Sequence, residues 1–165
     1  MLILSRVIAD GLILSAALGV IILGSLYLNP RLWLNDYPKQ MQAKVPPLTA
    51  REKWARGILA ALFLAVIVGW LYFSTAQLKA ANGGTVSFLA AWLNAFLVFN
   101  IFNLFDAVVL DLLILTLMKP RFATLPGTEG MEYLYHNWRM HLTNYLKGIV
   151  FCAVLSLPAA FVAAL

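Results

Sequence analysis

The chain has 165 residues, 62% hydrophobic and 12% charged, with a mean hydropathy of +0.85. A water-soluble domain carries roughly 45–50% apolar and about 25% charged residues, so this composition excludes one. The net charge of +5 would suggest nucleic acid in a soluble protein, but nearly every Lys and Arg flanks an apolar block, so it reads as an orientation signal and no nucleic-acid partner is expected.

The pattern predicts an all-α membrane protein: one polytopic domain over residues 1–165, built as a bundle of four transmembrane helices. The first span covers about residues 7–28, long enough for a hydrocarbon core about 30 Å thick, and Asn29-Pro30 ends it. Asp10 interrupts its apolar core and Arg6 is its one basic residue, which argues against a cleaved signal peptide. An ordered turn is expected next, over Asn29 to Pro38, with two prolines and the aromatics Trp33 and Tyr37. Val45-Pro46-Pro47 is a stiff connector. The second span, about residues 55–78, follows a capping box: Thr49 accepts from an early helix N–H, and Glu52 reaches back to the Thr49 backbone.

Asn82-Gly83-Gly84 is a short turn. The third span, about residues 86–118, exceeds one crossing and stops before Pro120. The fourth covers about residues 146–165, with a kink at Pro158 and a short amphipathic helix leading into it from Met131 to Tyr145.

Six Lys and Arg lie between Asn29 and Gly57, one (Lys79) in the second loop and four between Lys119 and Lys147. The positive-inside rule then puts the first and third loops in the cytoplasm and both termini outside, in a bacterial-type inner or plasma membrane. On this topology Asn82→Cys reacts with an impermeant thiol reagent added outside and Gln42→Cys does not; the reverse labelling overturns it.

Three helices carry small residues at every fourth position: Gly11, Ser15 and Gly19; Gly57, Ala61, Ala65 and Gly69; Gly148, Cys152, Ser156, Ala160 and Ala164. Such rows allow close helix approach in lipid. A homo-oligomer, or a place in a larger membrane complex, is the partner expectation. Cys152 is the lone cysteine, so neither an internal disulfide nor a CxxC pair can form. It reads as a packing residue.

The third span is unusual in carrying Asn94, Asn100, Asn103, Asp106 and Asp111. At 100° per residue all but Asn94 fall within an arc of about 140°. An Asp near the bilayer centre costs about 2.5–3.5 kcal/mol and each Leu or Phe returns about 0.3–0.6, so insertion is affordable. Such groups face the protein interior or water and mark ion, proton or ligand sites, or simply bond neighbouring helices. Asn100, Asn103, Asp106 and Asp111 are therefore the candidate ligand or ion-binding residues.

The third loop holds a second cluster. On a helix Glu132, His136 and Arg139 stack at spacings of four and three, while His141 turns away by about 140°. Glu132 and His136 are the candidate ligands for a divalent metal if another element, such as the one bearing Asp106 or Asp111, completes the set. The alternative is a solvated face.

No phosphate-binding glycine loop, HExxH, nucleophile elbow or EF-hand pattern is present. Three functions follow from these residues. The leading one is a polar cavity or pathway toward the cytoplasmic side, binding or conducting an ion, proton or small ligand. The others are an enzyme acting on a lipid-like substrate at the cytoplasmic interface and an assembly or scaffold subunit.

Overall fold

The computed structural model describes Met1–Leu165, and all of its regular structure is helical. Helices α1 (Leu4–Leu28), α2 (Lys39–Gln42), α3 (Ala50–Ala81), α4 (Phe88–Phe105), α5 (Trp138–Leu155) and α6 (Leu157–Ala164) follow in chain order. Four stretches are long and apolar enough to cross a membrane: α1, α3, the continuous run Phe88–Met118, and the joined α5 and α6.

Local chemistry sets the boundaries. The capping box starts α3: the Thr49 backbone N–H donates to Glu52 Oε2 at 2.8 Å, and the Glu52 N–H donates to Thr49 Oγ1 at 3.2 Å. Gly83 and Gly84 take positive φ values in the turn between α3 and α4, a conformation that costs a glycine little. Ser87 caps α4 by accepting from the Ala90 N–H at 3.3 Å. The last span breaks at Ser156, two residues ahead of Pro158, in keeping with the expected kink.

Helix α4 is central and touches α1, α3, α5 and α6. Against it α1 turns one continuous stripe, in which Val7, Gly11, Leu14, Ser15, Leu18, Gly19, Ile22 and Leu26 are all buried. That spacing is the helical repeat of a single buried face. The small residues of α1 do what the sequence suggested: a Cβ at Gly11 would lie 2.6 Å from Ile101 Cβ, and one at Gly19 would lie 3.2 Å from Phe105. Gly148 receives the Asn103 carboxamide in the same way, and Cys152, Ser156 and Ala160 are buried further along that row.

The row on α3 is different. Gly57, Ala61, Ala65 and Gly69 face outward, and nothing lies within 4 Å of a Cβ at Gly57 or Gly69. Helix α3 packs instead through Ile67, Leu71, Ser74, Thr75 and Leu78, which are larger or polar.

Two further expectations are corrected. The amphipathic helix predicted from Met131 to Tyr145 is interrupted: Glu132–His136 forms a short 3-10 segment, and α5 begins at Trp138. Asn137 makes the break, its side chain capping α5 by accepting from the Met140 N–H at 3.3 Å. Glu132, His136 and Arg139 therefore do not stack on one face. The third span also changes helical type, since Asp106–Met118 is a π-helix that continues α4. Its i to i+5 bonding shows at the end, where the Lys119 N–H donates to the Ile114 carbonyl at 2.9 Å. Lys119 then closes the segment in the left-handed region, with φ 48°.

Candidate functional site

The π-helix decides which polar groups meet. Residues five apart lie closer in angle in a π-helix than in an α-helix, so Asp106 and Asp111 form a column on the cavity side. The Thr116 hydroxyl donates to the Asp111 carbonyl at 2.8 Å, the same five-residue step repeated by a side chain. π-Helical turns are rare and concentrate at functional sites.

In front of this column lies a cavity of about 600 Å³, within the roughly 300–1,000 Å³ usual for small-ligand sites. Ile22, Leu23 and Leu26 of α1 form one wall. Met140, His141, Asn144 and Lys147 of α5 form another, and Asp106, Leu110, Asp111 and Leu115 of the π-helix contribute a third. The first loop supplies Trp33, Asn35, Asp36, Tyr37, Pro38 and Lys39, and Tyr135 completes the lining.

Several bonds hold the first loop in place. Arg31 Nε donates to Glu52 Oε1 at 2.6 Å, and Arg31 Nη2 donates to the carbonyls of Pro46 and Pro47 at 3.1 Å each, so the residue that caps α3 also anchors the loop. Trp33 Nε1 donates to Ser25 Oγ at 2.9 Å. The Tyr37 hydroxyl donates to the Ala123 carbonyl at 2.6 Å and ties the first basic loop to the third. Burial pushes the phenols of Tyr37 and Tyr135 well above their ordinary range, so both are neutral donors at physiological pH.

His141 joins three elements. Its Nδ1 lies 3.4 Å from Asp111 Oδ2, its Nε2 lies 2.6 Å from the Tyr135 carbonyl, and Thr116 Oγ1 approaches Nε2 at 3.4 Å. Arg31–Glu52 is an ion pair, and His141–Asp111 becomes one when the imidazole is protonated, whereas Asp106 and Asp36 have no cationic group within 4 Å.

Of the residues singled out from sequence, Asp106 and Asp111 line the cavity and the two asparagines do not. The Asn100 amide donates to the Phe96 carbonyl at 3.0 Å within its own helix, and Asn103 donates across to the Tyr145 carbonyl of α5 at 3.2 Å. Glu132 and His136 are not brought to the aspartates. The Glu132 carboxylate accepts from the Gly130 N–H at 3.2 Å, while exposed His136 lines a separate depression of about 480 Å³ with Tyr133 and Gln40. No three His, Cys, Asp or Glu side chains are grouped closely enough to hold a metal ion.

The sequence puts the segment from Glu132 to His141 at this end but does not single out Tyr135, His141, Lys39, Asn144 or Lys147 as site residues, and it does not reveal the polar cluster in the opposite half of the bundle. There Ser74 Oγ donates to Asp10 Oδ2 at 2.6 Å, Asn94 Nδ2 donates to Ser74 Oγ at 3.0 Å, and Trp70 Nε1 donates to the Asp10 carbonyl at 2.9 Å. Asn94, which falls off the polar face of its span, and Asp10, which interrupts the first apolar span, are the two signals of this cluster that the sequence carries. Between this cluster and the cavity the bundle is filled by Leu14, Leu18, Val98, Phe99 and Phe102, all buried.

Comparison with protein-family models, curated proteins and solved structures finds no match.

Proposed function

We propose that this is a small integral membrane protein whose cavity binds a positively charged ligand at the cytoplasmic side. The observation that carries the reading is the pairing of Asp106 and Asp111 one π-turn apart on the wall of a cavity large enough for a small molecule. Asp106 has no Lys or Arg partner, which favours an incoming cation in that place. Asp111 is held by His141 and supplies the second carboxylate. Asp36 adds negative charge at the loop side of the same cavity. With the basic loops inside, the cavity belongs to the cytoplasmic end and the Asp10 cluster to the outer half. The apolar filling between them favours a binding site over an open pore.

Octylammonium is a suitable probe, because it presents a primary ammonium on an apolar body. Its binding to the purified chain in detergent should saturate and should quench or shift the fluorescence of Trp33, which lines the cavity. Asp106→Asn should weaken it at least tenfold, or about 1.4 kcal/mol. Equal binding by wild type and Asp106→Asn, or none by either, overturns the reading and favours the scaffold alternative.

A further inference from the structure

The carboxylates of the cavity share it with two ammonium groups that do not neutralise them. Lys39, at the start of α2, and Lys147, on α5, line the same space as Asp106 and Asp111. Neither lysine pairs with an aspartate, and Lys39 Nζ meets only the Gln42 side-chain oxygen, at 3.4 Å. Opposite charges kept apart in one cavity complement a ligand that itself carries both signs.

Along α1 the cavity is apolar, through Ile22, Leu23 and Leu26, which offers a chain a path beside the ligand's polar end.

We infer that the cavity takes the headgroup of a bilayer lipid bearing a primary ammonium and a phosphodiester. The ammonium donates to the Asp106 and Asp111 carboxylates, the phosphate oxygens accept from Lys39 and Lys147, and an acyl chain follows α1. A trimethylated ammonium has no N–H to donate to Asp106 and Asp111 and is too bulky to approach both, so the two carboxylates favour the primary ammonium although Trp33 and Tyr37 also line the cavity. This inference rests on the cation-site reading above and adds the identity of the ligand.

Native mass spectrometry of the full chain in detergent tests it, using dioleoylphosphatidylethanolamine, dioleoylphosphatidylcholine, water-soluble glycerophosphoethanolamine and octylammonium as separate probes. The ethanolamine lipid should bind at least tenfold more tightly than the choline lipid and than the soluble headgroup. A Lys39→Gln, Lys147→Gln double variant should lose at least fivefold in ethanolamine-lipid binding while keeping octylammonium binding. Both lysines are exposed, so this variant should fold, and an unchanged melting temperature checks that. Equal retention of the two lipids with octylammonium still bound overturns the inference and leaves the cation site standing. Soluble headgroup binding as tight as the lipid also overturns it, by assigning the site to an aqueous ligand. Loss of octylammonium binding removes both readings.

Discussion

Gly11→Ala should be among the most destabilising conservative changes in this chain, while Gly69→Ala leaves stability unchanged or slightly raised. A Cβ at Gly11 would stand 2.6 Å from both Cβ and Cδ1 of Ile101, and 2.9 Å from its Cγ2. The Cδ1 can rotate away, but Ile101 Cβ is fixed to the α4 backbone. The two helices must therefore separate along a seam that also buries Leu14, Leu18 and Val98. Overpacking of this kind costs about 1–3 kcal/mol. At Gly69 nothing lies within 4 Å, so the added methyl meets no protein atom and helix propensity favours alanine by up to about 1 kcal/mol. Thermal unfolding in detergent, followed by circular dichroism, compares the two directly. A Gly69→Ala loss equal to that of Gly11→Ala would show that the outward face of α3 is packed against another chain.

The same pair of glycines shows what the sequence made legible. Small residues every fourth position mark close approach, and on α1 and on the last span the neighbours are there. On α3 the identical pattern has none, because spacing reports a face and not what covers it. The four apolar spans, the Thr49 capping box and the break near Pro158 were readable because each depends on residues close together in the chain. The cavity is half readable: the basic loops mark one end of the bundle, and Asp106, Asp111, the Tyr37 turn and the segment from Glu132 to His141 fall at that end. The π-helix was not, since Asp106–Met118 contains neither glycine nor proline to announce a change of helical type. A 3.6-residue repeat consequently grouped Asn100 and Asn103 with the aspartates, although they bond α4 and α5 backbone carbonyls. It also paired Glu132 with His136 on a helix that the Asn137 cap does not allow to form. The histidine that does reach a carboxylate, His141, was set aside by the same assumption.

His141 is where the π-helix, α5 and the Tyr135 segment are joined, and removing it should loosen all three. His141→Ala deprives Asp111 of its imidazole partner at 3.4 Å and the Tyr135 carbonyl of its contact at 2.6 Å. It also empties part of the cavity wall, so a loss of about 2 kcal/mol is expected from unsatisfied polar groups together with lost packing. Asp111→Asn keeps the side-chain shape and removes only the charge, so alone it should cost less. A double-mutant cycle between them isolates their interaction, and a coupling of about 0.5–1.5 kcal/mol is expected for two groups in contact. Octylammonium binding gives the second readout. If His141 acts by positioning Asp111, then His141→Ala weakens probe binding in the wild-type background and has little further effect in Asp111→Asn. Additive losses in both stability and binding would mean that the histidine and the aspartate act separately, and would break the link between the His141 junction and the ligand site.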